Sequence, residues 1–382
     1  MSTRAGRYEN QMEGYRAFIP AFLPPHDLIL DDHLQELHSK ADQAIGRLDG
    51  AVAILPNADL FVSMYVRREA VLSSQIEGTH ASMMDVLEYE AEQERAKDSI
   101  DVREISNYIR AMNHGLSRLH ELPLSRRLLC EVHRVLMDGT RGGEPHKTPG
   151  EVRKTQNWIG GASPASARFV PPPPEVVGDV FADLERYLHD GPGTHLLKAG
   201  VAHAQFETIH PFLDGNGRTG RLLITFWLVE RGVLRRPILY PSLFFKQNKG
   251  EYVDRLQAIR DTGGWEDWLR FFLDGMAQTA IEATDTAMRI LELRDEHRAL
   301  ISSRLVRKAH SGLELLDFLF GQPTVTARMV EKRLKVSQPT ASALVADFER
   351  LGILTELTGR KKWRVFSYSA YLRLFSGYQS RT

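Results

Sequence analysis

The chain has 382 residues, 42% of them hydrophobic, and balances 49 basic against 49 acidic side chains. That length suits two or three globular domains, and a net charge of zero argues against a protein that coats nucleic acid over its whole surface. A single cysteine, Cys130, excludes a disulfide framework and a thiolate metal cluster, while a polar start over residues 1–14 and no apolar run longer than 222–229 point to a soluble, cytoplasmic protein with no membrane partner.

In chain order, residues 1–55 carry few signals. Pro20, Pro24 and Pro25 suggest extended or turning chain, and Leu34, Leu37, Ala41, Ile45 and Leu48 predict a helix over 32–48. Asn57 or Asp59 can cap a helix over 60–76 that Gly78 ends, and near its end Ser73 and Glu77 stand one turn apart on one face. On spacing alone, Glu77 is an ordinary solvated carboxylate before a helix-ending glycine. Further helices are predicted over 81–96, 102–119 and 125–137; His114, His120 and His133 have no partner at metal-ligand spacing and read as ordinary surface or core residues.

Residues 141–174 break this pattern. A strand over 151–159, the turn residues Gly160, Gly161, Ser163 and Pro164, and a second strand over 167–170 predict a small β-hairpin flap, which the prolines 171–174 terminate. Helices over 175–189 and 194–209 lead to the most informative stretch, 210–221, His-Pro-Phe-Leu-Asp-Gly-Asn-Gly-Arg-Thr-Gly-Arg. Pro211 stops the preceding helix, and the apolar residues 222–229 start another, so the stretch is a loop between two helices. Gly232 then closes a helix; Pro237 and Pro241 turn the chain, a helix is predicted over 243–259, and one or two long charged helices over 265–308. Helices over 313–320, 324–334 and 338–351, and a hairpin around 358–362 with basic residues over 360–364, complete the chain.

The loop's residue types suit a polyphosphate. Gly215 and Gly217 allow close backbone approach, Asn216 adds an amide, and Arg218 and Arg221 can fork onto phosphate at a helix N-terminus. Asp214 is a hard oxygen ligand for Mg²⁺ shared with those phosphates, and His210 can accept a proton near neutral pH. His203 and His210, seven apart, raise a metallohydrolase alternative, but nothing at helical spacing completes a metal triad.

His-Pro-Phe-x-Asp-Gly-Asn-Gly-Arg-x-x-Arg resembles, at every defined position, the signature of Fic-domain protein adenylyltransferases. The resemblance implies transfer of AMP from ATP to a Ser, Thr or Tyr hydroxyl of a target protein, with Mg²⁺. It implies His210 as general base, Asp214 as metal ligand, and Gly215, Asn216, Gly217, Arg218, Thr219, Gly220 and Arg221 as nucleotide-binding residues. Asn248 and Tyr252 become candidate adenine-side contacts. Ser73, Glu77 and Gly78 resemble the family's inhibitory helix, whose Glu pairs with the second arginine, here Arg221. Trp158, Ile159, Gly160 and Gly161 become flap residues that dock a target segment by strand addition. The C-terminal pattern resembles a winged helix-turn-helix with 338–351 as recognition helix, able to meet DNA or protein.

The expectation is therefore a mainly α protein: an N-terminal helical region with the inhibitory helix over 1–100, a helical Fic core with a β-hairpin flap over 101–300, and a winged helix over 309–382. Its expected partners are a target protein, the chain itself as acceptor, DNA through the winged helix, and a second copy in a homodimer. Two other readings stand beside adenylylation: a hydrolase that removes AMP at the same site, and a DNA-binding regulator that senses nucleotide.

Overall fold

The computed structural model describes residues 2–53, 58–92, 99–360 and 362–375. Its first element is one the sequence did not announce: a three-stranded antiparallel sheet of β1 (Ser2–Thr3), β2 (Gly6–Asn10) and β3 (Arg16–Pro20). The strands are short, and what holds them is remote. Phe18 is buried between Tyr8 and Phe169, and its N–H donates to the Val170 carbonyl across 3.0 Å. No local periodicity could reveal that partner.

Helices α1 (Asp32–Ala53), α2 (Ala58–Ile76), α3 (Met83–Glu92), α4 (Ile100–Arg118) and α5 (Arg126–Met137) follow. The expected cap Asn57 lies outside the described residues, as does the 93–96 end of the helix predicted over 81–96. After the irregular segment 138–173 come α6 (Pro174–Asp190), α7 (His195–Ile209), α8 (Asn216–Glu230), α9 (Ser242–Gln247), α10 (Lys249–Thr262) and the 40-residue α11 (Trp265–Arg304).

Helix α7 is the axis of the fold. Every residue from Leu196 to Ile209 is buried, because α6, α8, α10 and α11 cover it from different sides. A helix apolar or satisfied all round is what such a position requires. Helix α8 is buried from Arg218 to Leu228 against α4, α5 and α7. Helix α2 lies across α4, α8 and α9, which brings its C-terminal end beside the first turn of α8.

Three expectations are corrected. The strands predicted over 151–159 and 167–170 reduce to one bridge, Ile159 to Phe169, with a 3-10 turn at Pro164–Ser166 between them. Arg153 and Asn157 are drawn inward to hold backbone carbonyls, so the segment bends instead of extending. The helix predicted over 243–259 divides at Asn248 into α9 and α10. In the helix predicted over 324–334, Thr324–Val325 instead forms strand β4 and Thr326 caps the helix that follows.

The C-terminal part comprises α12 (Ala309–Gly321), β4 (Thr324–Val325), α13 (Ala327–Leu334), α14 (Gln338–Arg350), β5 (Thr355–Glu356), β6 (Phe366–Ser367) and α15 (Ser369–Leu372). Its sheet runs β4-β6-β5, with the chain between β5 and β6 as the wing. It is a winged helix, and it docks on the first half of α2: Phe61 meets Phe320 at 5.0 Å, and Tyr65 meets Phe375 at 5.7 Å. No described helix is long and apolar enough to cross a membrane.

Candidate active site

The site is the loop between α7 and α8. His210 ends α7 in the left-handed region, φ 48°, its N–H donating to the Phe206 carbonyl. A non-glycine residue pays strain for that backbone, so its surroundings must enforce it. They do: Arg153, buried, donates to the carbonyls of His210, Ile209 and Pro172, and Asn157 Nδ2 donates to those of His210 and Phe212. Both residues come from the segment expected to be a strand, and nothing in their local pattern marked them.

Asn216 completes the turn. Its Oδ1 accepts the Phe212 N–H and its Nδ2 donates to the Phe212 carbonyl, each at 2.8 Å. Its side-chain amide is thus spent on the loop, correcting the expectation that it faces phosphate. Gly215 stands at φ 74° before the first turn of α8, where a Cβ would lie 2.6 Å from Met137 Sδ. Only glycine fits both demands.

His133, expected to be an ordinary histidine, braces the same loop. Its ring stacks on Phe212 at 3.8 Å; Nδ1 accepts the Gly150 N–H, so Nε2 carries the proton and donates to the Asp214 carbonyl. Burial pushes its pKa down to about 4. His203 also has both nitrogens engaged, Nδ1 with the Gly220 carbonyl and Nε2 with the Tyr252 hydroxyl, which leaves it no lone pair for a metal.

The two arginines of the motif differ. Arg218 is buried, with Nη2 against Met137 Sδ, and its Nε and Nη1 have no hydrogen-bond partner. A buried guanidinium with unmet donors marks a place for an anion. Arg221 is buried and engaged: Nε donates to Ser73 Oγ at 2.8 Å, and Nη2 donates to the Ser73 carbonyl at 3.1 Å and to Glu77 Oε1 at 2.6 Å. Burial pushes the Glu77 carboxyl up, but Arg221 outweighs it and holds the pKa below the ordinary value. Glu77 also sits on the first turn of α8, since a Cβ at Gly217 would fall 2.2 Å from its Oε1. The end of α2 is fastened by Lys249 Nζ on the Ile76 carbonyl and Lys246 Nζ on Gln75, and Gly78 turns away at φ 98°.

Asp214 is half-buried: Oδ1 accepts the Gly215 N–H at 2.7 Å, and Oδ2 takes Lys147 Nζ at 3.1 Å. The His210 imidazole buries an unpartnered Nδ1, and burial, Arg153 and Arg260 push its pKa down to about 4, so it is neutral at pH 7. Behind it Glu207 is buried with Oε1 unpartnered against Gly220, and burial lifts its pKa to about 7.

The other sequence candidates lie apart from this cluster or serve packing. Thr219 Oγ1 bonds the Gly215 carbonyl, and Gly220 leaves room for Glu207. Tyr252 is buried in an aromatic group with Phe245 and Trp268, and Asn248 Nδ2 donates to the Phe244 carbonyl. Trp158 is 40% exposed, Gly160 and Gly161 follow at φ 70° and 76°, and Ile159 makes the single bridge.

Comparison with known proteins agrees with this geometry. Residues 35–117 match the profile of the Fic/DOC family N-terminal region, 123–228 that of the Fic/DOC family, and 313–367 that of an HTH DNA binding domain. A probable protein adenylyltransferase of Aquifex aeolicus is 30% identical over 202 residues, which cover 53% of this chain and 57% of that protein. The protein adenylyltransferase Fic of Drosophila yakuba is 29% identical over 258 residues, 64% of this chain and 46% of that one. The chain thus spans little more than half the length, or less, of the curated relatives it matches. A crystal structure of a Fic family protein from Desulfovibrio desulfuricans G20 superposes with a TM-score of 0.59 at 18% identity, over 91% of this chain and 98% of the other, and so shares the fold. With one matched stretch carrying α2 and the next carrying the loop between α7 and α8, residues 35–117 and 123–228 carry the two regions of the Fic/DOC family.

Proposed function

We propose that the chain is a protein adenylyltransferase, autoinhibited by Glu77, that moves AMP from ATP to a Ser, Thr or Tyr hydroxyl. One observation carries the reading: a buried arginine with unmet donors, Arg218, stands one turn from a second, Arg221, which Glu77 holds at the N-terminus of α8. Donors converging on a helix N-terminus favour a polyphosphate, and a carboxylate already seated there favours regulation of its binding.

In the reaction the target oxygen forms a bond to the α-phosphorus, the bond from that phosphorus to the bridging oxygen breaks, and pyrophosphate leaves. His210, neutral at pH 7, takes the hydroxyl proton. A value of about 4 makes a weak base, and the negative charge of a bound triphosphate raises it toward the working range. Arg218 and the N–H groups at the start of α8 face the phosphates, and Arg221 joins them once Glu77 releases it. The donor set fits Mg²⁺ as a shared ion: Asp214 is a half-exposed carboxylate already holding a cation, Lys147, and among the described residues no group of three or more His, Cys, Asp or Glu side chains could hold a metal. Bound by Asp214, Mg²⁺ would neutralise charge on the phosphates. The target segment docks beside Trp158 and Gly160–161, where backbone is exposed next to the single bridge.

The winged helix is proposed to bind DNA. Gln338, Thr340 and Ser342 line the exposed start of α14, and Arg328, Lys332, Lys335 and Lys362 are exposed beside it; Lys361 of the expected basic wing lies outside the described residues, and Arg364 is engaged by Glu349. A mobility shift that weakens with salt tests this.

The test of the activity is mass spectrometry of the Glu77→Gly variant incubated with ATP and Mg²⁺. Peptides carrying one adenylyl group on a hydroxyl residue, absent when His210→Ala is added, are expected. Phosphoryl adducts, or ATP consumed with no adduct on this chain or on added target proteins, would overturn the reading. If wild type instead strips AMP from a modified target and Glu77→Gly does not, Glu77 is a residue of hydrolysis.

A further inference from the structure

The segment 142–150 is tied to Asp214 at three points, although it lies outside the motif. Gly142, at φ 78°, sits against the carboxylate so closely that a Cβ would fall 2.2 Å from Oδ2. The 3-10 turn Pro145–Lys147 delivers Lys147 Nζ to that same oxygen at 3.1 Å, while its other acidic neighbour, Glu144, is 3.9 Å away. Gly150 donates to His133, which donates in turn to the Asp214 carbonyl. With Oδ1 taken by the Gly215 N–H, Lys147 holds the carboxylate oxygen that accepts no backbone N–H.

We propose that Lys147 is a built-in competitor for the divalent cation at Asp214, so that metal seats there by displacing the ammonium group. The inference rests on the proposed role of Asp214 as metal ligand. A lysine is suited to the task because it is a compact point charge on a flexible stem. It neutralises Asp214 in the resting protein, and its one charge yields to a divalent ion that brings phosphate oxygens with it. Free metal then binds Asp214 poorly, and metal arrives mainly with nucleotide. Arginine at 147 would hold the carboxylate similarly, whereas a neutral residue would leave it open.

The test is Mn²⁺ binding to the full chain without nucleotide, read from loss of the free-ion electron paramagnetic resonance signal. Lys147→Met should bind Mn²⁺ about two- to fivefold more tightly than wild type, the range that removal of a part-exposed ion pair allows. Lys147→Arg should stay near wild type, and adding Asp214→Asn to Lys147→Met should erase the gain. Circular dichroism of each variant, with Lys154→Met as a surface-lysine control, checks that the fold is kept. A Mn²⁺ affinity for Lys147→Met no higher than wild type overturns the proposal, as does a gain that survives Asp214→Asn. If Asp214→Asn leaves Mn²⁺-dependent nucleotide binding unchanged in the wild-type background, the metal-ligand role of Asp214 itself is wrong.

Discussion

Glu77→Gly should accelerate AMP transfer, the reverse of what removing a paired charge normally does. Arg221 donates to three oxygens, and only one belongs to an ionised group, Glu77 Oε1 at 2.6 Å. Hydrogen bonds to charged groups contribute about 1.5–3 kcal/mol. The Glu77 side chain is 40% exposed, so solvent screening puts this pair at the lower end, about 1.5–2 kcal/mol. At about 1.4 kcal/mol per tenfold, freeing Arg221 for the nucleotide corresponds to roughly ten- to thirtyfold in rate. A second effect has the same sign: the carboxylate over Gly217 lies where phosphate oxygens would approach α8, and its removal ends that repulsion. The assay is label transfer from ATP labelled at the α-phosphate, run for wild type, Glu77→Gly, and Glu77→Gly with Arg221→Ala. Ser73→Ala, which removes only the neutral tie to Nε, should give a smaller rise. The reasoning fails if Glu77→Gly is no faster than wild type, or if the double variant keeps the whole gain.

His210→Ala should lower transfer by about 10²–10⁴-fold, the usual contribution of a general base, with ATP binding by calorimetry unchanged; activity above a tenth of wild type would remove the residue from that role. Arg153→Lys keeps a charge but loses the fork that holds the carbonyls of His210, Ile209, Pro172 and Thr155, so kcat should fall tenfold or more while KM for ATP stays within about twofold, the split expected of a group that positions His210. Glu207→Gln should stabilise the fold more at pH 8 than at pH 5.5. The folded pKa of about 7 exceeds the unfolded 4.5, so the cost of burying the carboxylate, about 3 kcal/mol above pH 7, diminishes as pH falls through the folded value. Thermal melts of variant and wild type at the two pH values measure the difference, and an equal gain at both would show that Glu207 is not raised.

The motif was legible because its chemistry is contiguous. His210, Asp214, Arg218 and Arg221 lie within twelve residues, and the helices on either side declare themselves by Pro211 and the apolar run after Arg221. Ser73 and Glu77 could be singled out only because a known pattern links them to Arg221; their spacing alone is commonplace, and the contact spans 144 residues. What stayed hidden is the support. Arg153, Asn157, His133 and Lys147 act on the backbone or the carboxylate of a loop more than fifty residues downstream, and an arginine that will hold several carbonyls looks, in sequence, like any surface arginine. The same limit explains the misread flap. The residues 151–157 read as a strand, yet Arg153 and Asn157 satisfy their polar groups against the motif loop instead of a partner strand.

One helix links the parts of this molecule. The N-terminal half of α2 is the face on which the winged helix rests, through Phe61 on Phe320 and Tyr65 on Phe375, and its C-terminal end presents Ser73 and Glu77 to Arg221. Between them, Glu69 is buried and accepts bonds from Tyr108 and Ser242, which tie the middle of the helix to α4 and α9. A helix pinned at its middle transmits little by sliding, because moving it would strand a buried carboxylate. Release of Arg221 is therefore cheapest at the last turn, beyond Glu69, where Lys246 and Lys249 hold only Gln75 and the Ile76 carbonyl and Glu77 is already part-exposed. The contact between Glu77 and Arg221 thus sits at the end of α2 away from the winged helix, where the Glu77 side chain is already part-exposed.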